Sequence, residues 1–212
     1  MTRTQWVILV ISGLSAGTAA VGCTPGGVGD PCIPEDEYSL TFSGFGYAEA
    51  NVESRSFQCE TRVCIANHFQ GRVSCPYGQT ADQIAPYYAN GALTNADPAS
   101  APAPGLCHIP ATNQIVTAPV APQAMDRRAE NTVYCSCRCE GADKSAKYCS
   151  CPSGYSCLPL VPDLGLGQAQ LAGKYCLKNG TEFTGNIGGN LCNTATKSCP
   201  TDTIPNTPER NP

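Results

Sequence analysis

Cysteine content constrains this chain more than any other feature of its sequence. Fifteen of its 212 residues are cysteines. Leu, Ile, Val and Phe supply only 30 of the 190 residues from Cys23 to Pro212, about 16%, and a share below about 20% makes a conventional packed core doubtful. Disulfides replace missing apolar contacts in small exported domains, at roughly 2–4 kcal/mol for each native bridge. The sequence therefore predicts a small disulfide-rich fold, mainly β and irregular, formed in an oxidising compartment.

The N-terminus predicts export. Residues 1–5 carry one positive charge, Trp6–Leu14 is apolar, and small residues then run to Gly22. This order of segments is typical of a secretory signal peptide, which we assign to residues 1–22. The apolar run is much shorter than the roughly 20 residues that a membrane-spanning helix needs.

Cys23 follows the signal peptide directly. Ala20-Val21-Gly22-Cys23 resembles the lipobox of bacterial lipoproteins, although Ala20 occupies a position where that family usually has Leu. The resemblance implies that Cys23 is lipidated and becomes the new N-terminus. In the alternative interpretation, an ordinary signal peptidase cleaves before Val21 and the product is secreted and soluble.

The parity of the cysteine count favours lipidation. A retained Cys23 thiol leaves an odd number of cysteines in an exported chain, whereas a lipidated Cys23 leaves fourteen for seven disulfides. The Gly/Pro-rich residues 23–31 predict a flexible tether. The cysteines that we predict to form disulfides are Cys32, Cys59, Cys64, Cys75, Cys107, Cys135, Cys137, Cys139, Cys149, Cys151, Cys157, Cys176, Cys192 and Cys199.

The cysteines divide the chain into two predicted lobes. Four lie in residues 32–80 and nine in residues 132–199, and the Pro/Ala-rich residues 81–131 between them contain only Cys107. We expect the Pro/Ala segments of this connection, residues 97–105 and 117–123, to be extended and residues 200–212 to be disordered. Nine cysteines cannot all pair among themselves, so at least one bridge must leave the C-terminal group.

Local patterns predict a few regular elements. Alternating residues predict strands at Tyr38–Phe42, Arg62–Ala66 and Thr132–Cys139, and Gly167–Gly173 predicts one or two helical turns that end at Gly173. In a strand over Thr132–Cys139, Cys135 and Cys139 face one side and Cys137 the other, so one segment can be bonded to two layers. The aromatic-rich segments 38–47 and 85–91 are candidates for a partner surface, although Tyr87 and Tyr88 equally suit a small core.

Catalytic and metal-binding patterns are weak. The Cys-x-Cys-x-Cys run at residues 135–139 resembles metallothionein clusters, but no two cysteines have the Cys-x-x-Cys spacing of zinc knuckles. His68 and His108 are the only histidines, and neither lies beside a candidate nucleophile. We expect the acidic run Glu35–Glu37 and the charged run Asp126–Arg128 to be exposed to solvent. The sequence thus predicts neither an enzyme nor a cofactor.

Charge and composition narrow the expected function. A formal net charge of −4 lacks the basic stripe of a nucleic-acid-binding protein. The lipobox, short tether and cysteine-dense body together resemble cysteine-rich surface lipoproteins of Gram-negative bacteria, of the myxobacterial type. That resemblance implies only that Cys23 is the lipidation site. We interpret the chain as a lipid-anchored protein of the cell envelope, at the outer membrane, which acts with a protein partner as a binding or structural module. A secreted protease inhibitor and a thiolate metal-binding protein are the alternatives.

Overall fold

The structure is a computed structural model that describes residues 26–89, 92–93, 105–163, 165 and 170–200. Its strands are β1 (Ala50–Glu53), β2 (Val63–Asn67), β3 (Tyr88–Ala89), β4 (Ala92–Leu93), β5 (Val133–Ser136), β6 (Arg138–Glu140), β7 (Tyr155–Val161) and β8 (Gly173–Lys178). Its helical segments are α1 (Ala81–Ile84), α2 (Ala129–Thr132) and 3-10 turns at Glu35–Tyr38, Ala85–Tyr87 and Met125–Arg127. The fold is therefore mainly β and irregular, as predicted.

Two three-stranded antiparallel sheets form the body of the described residues. Sheet 1 has the order β1-β2-β5, and sheet 2 has the order β6-β8-β7. The strands β3 and β4 form a separate hairpin. Because β5 belongs to sheet 1 and β6 to sheet 2, the chain passes from one sheet to the other at Cys137.

The alternating side chains of β2 and β5 in sheet 1 are buried on both faces. In β2, Cys64 and Ala66 belong to a first core with Phe45 and Phe69, whereas Ile65 belongs to a second core. The period of two along a strand places these neighbours on opposite faces. The predicted strand at Arg62–Ala66 is confirmed, because it corresponds to β2.

The second core lies between the two sheets. It joins Ile65 and Tyr134 of sheet 1 to Tyr175 and Leu177 of sheet 2. A third core surrounds the Cys75–Cys107 bridge and consists of residues outside both sheets. Within the part of the chain that the structure describes, these three small clusters share the apolar packing, which agrees with the low aliphatic content.

All fourteen described cysteines form disulfides. The seven bridges are Cys32–Cys64, Cys59–Cys135, Cys75–Cys107, Cys137–Cys149, Cys139–Cys157, Cys151–Cys176 and Cys192–Cys199. One of them, Cys59–Cys135, joins the N-terminal cysteine group to the C-terminal one, so a bridge leaves the C-terminal group as its odd count requires.

The strand predicted at Tyr38–Phe42 is wrong. This segment contains the end of a 3-10 turn followed by a bend, and none of it belongs to a described sheet. The carbonyls of Ser39 and Phe42 accept hydrogen bonds from the buried guanidinium of Arg72 rather than from a neighbouring strand. The Arg72 side chain thus supplies the backbone hydrogen bonds that a neighbouring strand would supply to a segment with an alternating pattern.

The segment Thr132–Cys139 forms two strands rather than the single strand that we predicted. The break lies at Cys137, because β5 pairs with β2 whereas β6 pairs with β8. The segment nevertheless contributes to two layers. Of the helical turns predicted at Gly167–Gly173, residues 167–169 lie outside the described residues, and Gly173 begins β8 rather than ending a helix.

The predicted Pro/Ala-rich connection includes well-packed residues. Val116 and Val120 are buried in the third core, and the backbone of Val120 exchanges two hydrogen bonds with that of Gln79. The Gln79 side chain also donates to the carbonyls of Val116 and Ala118. Residues 116–120 are therefore fixed to the folded body.

Candidate functional site

The first described residues hold the N-terminus against the body. Gly26 exchanges backbone hydrogen bonds with Gln58 and Glu60, and Gly29 and Asp30 each bond to the backbone of Cys135. Residues 26–31 are therefore fixed, although we predicted a flexible tether over residues 23–31. The signal peptide (residues 1–22), Cys23 and the predicted tail from residue 201 onward lie outside the described residues.

The aromatic segment 38–47 has both exposed and buried residues. Tyr38 exposes 50% of its surface and Tyr47 37%, and Leu40 is similarly exposed. Phe45 is buried in the first core, where its ring packs edge-on against Phe42 at 4.8 Å between centroids. The buried Phe45 and the partly buried Phe42 thus fix a backbone that presents the exposed side chains to solvent.

A buried ion pair positions this segment. Glu37 and Arg72 are fully buried, with Arg72 Nε 3.4 Å from Glu37 Oε2. The Glu37 carboxylate also accepts hydrogen bonds from the Val73 amide at 2.6 Å and from the Ser74 hydroxyl at 2.6 Å. The expectation that Glu35–Glu37 is exposed is therefore wrong for Glu37, because its carboxylate exchanges hydration for a guanidinium and protein donors.

Arg127 organises a second surface, and its burial corrects the expectation that Asp126–Arg128 is solvated. Its guanidinium donates to the carbonyls of Thr181 at 2.8 Å and His68 at 3.1 Å, and also to that of Asn67. Nothing in the charged run distinguishes the buried Arg127 from Arg128, which is only partly buried. The carbonyls that make its burial favourable come from the end of β2, from the residue after it and from the loop that follows β8.

Three partly exposed rings lie above Arg127. The His68 imidazole stacks on the Phe183 ring at 4.0 Å between centroids, and Tyr47 lies 6.3 Å from the same ring. Arg127 lies 5.5 Å from the centre of Phe183. We call Tyr47, His68 and Phe183 the aromatic patch. Sequence reasoning identified the segment that contains Tyr47, but it missed Phe183, which joins the patch only through the folded chain.

His68 is held in an environment that favours its neutral form. Burial lowers the pKa of His68, its hydrogen bond to the Tyr47 carbonyl at 3.0 Å opposes that shift, and the nearby Arg127 charge lowers the pKa further. Burial also lowers the pKa of His108, which lies elsewhere in the chain. The aromatic patch therefore presents an uncharged, mixed apolar and polar surface at neutral pH.

A surface pocket of about 520 Å³ lies beside α1. Asp82, Gln83, Tyr87 and Lys197 line it. Lys197 donates a hydrogen bond to the Gly78 carbonyl at 3.1 Å, and partial burial lowers its pKa. Tyr87, from the second predicted aromatic segment, is thus half-buried at a pocket wall, whereas the side chain of Tyr88 lies outside the described part of the chain.

The described cysteine sulfurs form three close groups. They are Cys32 with Cys59 and Cys135, Cys137 with Cys149 and Cys176, and Cys139 with Cys151 and Cys176, and within each group the sulfurs lie within 4.8 Å of one another. Every one of these sulfurs belongs to a disulfide. A metal ion requires thiolate ligands, so the predicted thiolate site would form only after reduction.

Comparison with known proteins found no matching family model, no matching curated protein and no matching solved structure. No described helix has the length and apolar character that crossing a membrane requires. The seven disulfides fit an extracellular or secreted protein.

Proposed function

We propose that the chain is a lipid-anchored binding module of the bacterial cell envelope, attached through Cys23 at the outer membrane. The observation that carries this proposal is the cysteine pairing. Fourteen cysteines bond to one another, so Cys23 has no disulfide partner within the chain unless another bridge opens. Thioether formation to a lipid removes the remaining thiol, and the lipobox-like residues before Cys23 fit that chemistry.

The packed N-terminus supports a short distance between body and membrane. Gly26 is hydrogen-bonded to the body, so three peptide steps separate it from Cys23. Three residues span at most about 11 Å when fully extended. An anchor at Cys23 would therefore keep the disulfide-bonded body close to the lipid surface.

The aromatic patch is the surface that we assign to a protein partner. Tyr47 and Phe183 offer apolar faces, while His68 adds a ring with polar edges. Aromatic side chains are enriched where protein partners bind, because they bury large areas at small entropic cost. The buried Arg127 fixes the backbone beneath the patch, which reduces the ordering that binding would require.

Membrane fractionation tests the anchor. We expect the native chain to sediment with outer membranes and its unreduced mass to show a lipid on Cys23 as the first residue. Cys23→Ser should be released into the soluble fraction, whereas the neighbouring control Thr24→Ser should remain membrane-bound. A native chain that begins at Val21 and carries a free Cys23 thiol would contradict the proposal.

Photo-crosslinking tests the binding role. A photoreactive phenylalanine analogue at Tyr47 should give one discrete protein adduct in intact cells, and the same analogue at the exposed Lys144 should not. Equal labelling from both positions would argue against a specific patch. An adduct that proves to be a protease inhibited by the purified chain would favour the inhibitor alternative.

A further inference from the structure

We propose that Cys137, Cys149, Cys151 and Cys176 form a thiol–disulfide exchange site, at which an attacking thiol converts the Cys137–Cys149 and Cys151–Cys176 bridges into Cys137–Cys176 and Cys149–Cys151. The two bridges are in direct contact. Cys137 Sγ lies 3.5 Å from Cys176 Sγ, and Cys149 Sγ lies 3.8 Å from the same atom. A thiolate released from the first bridge would therefore already be beside a sulfur of the second.

The backbone places Cys137 and Cys176 where a bridge between them can form. Arg138 and Tyr175 are register partners of β6 and β8, and one step further the Cys176 amide donates to the Cys137 carbonyl at 3.1 Å. Residues opposite each other in antiparallel strands have Cα atoms about 4.5–5.5 Å apart. That separation falls within the Cα range that disulfides span.

The other two cysteines are the accessible ones. Cys149 and Cys151 are half-buried, whereas Cys137 and Cys176 are buried. An external thiol can therefore begin only from the outer pair. Cys149 and Cys151 are separated by one residue, and their Cα atoms lie at most about 7 Å apart, at the upper end of the range for a disulfide.

The exchange proceeds in three balanced steps. An external thiolate attacks Cys149 Sγ, which breaks the bond to Cys137 and leaves a mixed disulfide on Cys149 and a thiolate on Cys137. The Cys137 thiolate then attacks Cys176 Sγ, which forms Cys137–Cys176 and releases Cys151 as a thiolate. Cys151 finally attacks the mixed disulfide at Cys149 and expels the external thiol unchanged, so two disulfides remain and no net oxidation or reduction occurs.

The first core contains a similar sulfur group that lacks this property. Cys32, Cys59 and Cys135 lie as close to one another, but all three are buried. No accessible sulfur there offers an external thiol a starting point. Proximity combined with an accessible edge therefore distinguishes the two sulfur groups that contain Cys176 from the group in the first core. Cys139, which is half-buried and lies within 4.8 Å of Cys151 and Cys176, is the competing partner that tryptic mapping must exclude.

Tryptic mapping without reduction tests the proposal. Trypsin releases Cys176 in the tetrapeptide of residues 175–178, Cys137 in residues 129–138, and Cys149 and Cys151 together in residues 148–174. The variant Cys149→Ser leaves the Cys137 thiol without its partner, and it is incubated with N-ethylmaleimide under native conditions. If Cys137 attacks Cys176, the label should appear on Cys151, and the tetrapeptide should be disulfide-bonded to residues 129–138. Label on Cys137, or a tetrapeptide still joined to residues 148–174, would overturn the proposal.

A matched variant and a second measurement complete the test. Cys107→Ser frees Cys75, which belongs to none of the close sulfur groups of the described residues, so its label should remain on Cys75. If Cys149→Ser does not fold, the unaltered chain treated with a trace of reduced glutathione serves instead. The tetrapeptide should then be disulfide-bonded to residues 129–138. A tetrapeptide that stays bonded to residues 148–174, or that becomes bonded to residues 139–144, would refute the exchange.

Discussion

The two three-stranded sheets cover their outer faces in different ways. Sheet 1 turns Cys64 and Ala66 of β2 toward Phe45 and Phe69, so two disulfides lie within an apolar core. Sheet 2 contributes Tyr175 and Leu177 to the core between the sheets. The alternation of β8 places Cys176 on the opposite face, where the chain supplies cysteines. The bridge Cys139–Cys157 joins β6 to β7, and the bridges Cys137–Cys149 and Cys151–Cys176 attach the loop between these strands.

The difference also appears in the chain segments that the bridges enclose. Cys59–Cys135, in sheet 1, joins residues 76 apart, whereas the bridges of sheet 2 join residues 12 to 25 apart. Long bridges restrict the unfolded chain more strongly than short ones. Sheet 1 therefore combines an apolar core with a bridge that ties distant segments, whereas sheet 2 depends on several local bridges.

The largest expected effect comes from opening the long bridge. In the double variant Cys59→Ala with Cys135→Ala, the chain-entropy relation gives a loss of about 4.5 kcal/mol, because the unfolded chain regains a long loop. Both cysteines are buried in the first core, so lost packing adds to this loss. Equilibrium denaturation without reductant measures the change in free energy of unfolding.

A short bridge of sheet 2 provides the matched comparison. Cys137→Ala with Cys149→Ala should cost about 2.9 kcal/mol by the same relation. A loss as large as that of the Cys59 and Cys135 pair would contradict the idea that the two sheets are stabilised differently.

The second prediction concerns buried and exposed charge. Glu37→Gln leaves the guanidinium of Arg72 without its countercharge inside the protein, and breaking a buried pair in this way costs about 3–5 kcal/mol. Denaturation midpoints would record the loss. Faster proteolysis within residues 38–47 would show that this pair holds the segment in place.

The control for Glu37→Gln is an ion pair at the edge of sheet 2. Lys174 and Glu140 lie 2.9 Å apart, and their side chains are 37% and 55% exposed, so Lys174→Met should change stability by less than about 1 kcal/mol. Comparable losses in both variants would mean that burial does not distinguish the two pairs.

The sequence predicted the general type of fold better than its buried polar groups. Low aliphatic content and abundant cysteines indicated a disulfide-rich, mainly β chain, and alternation identified the strand that contains Cys64. The sequence analysis wrongly predicted that Glu37 and Arg127 are exposed. A charged side chain is buried only when the folded chain brings it donors or acceptors from distant loops, which local sequence does not reveal. The pairing of Cys59 with Cys135 could likewise not be predicted. The odd number of cysteines in the C-terminal group requires a bridge that leaves this group, but it does not identify the two cysteines.

The smallest predicted effect concerns His68, which follows β2 of sheet 1 in the chain and stacks on Phe183, which follows β8 of sheet 2. Burial and the Arg127 charge lower the pKa of His68 below its ordinary value of 6.5. As pH falls, the unfolded chain therefore binds a proton at His68 before the folded chain does. The contribution of His68 to the free energy of unfolding is fully present above pH 6.5 and decreases below it. Thermal melts between about pH 5.5 and 7.5, where histidine titrates, measure this dependence.

His68→Asn isolates the contribution of the patch. Asn tolerates the positive φ of 50° at this position but does not titrate, so the decline below pH 6.5 should become shallower. His108→Asn should remove the remaining part, because burial also lowers the pKa of His108. An unchanged pH profile in His68→Asn would mean that the imidazole is equally easy to protonate in the folded and unfolded chain. The stacking of His68 on Phe183 would then make no pH-dependent contribution to stability.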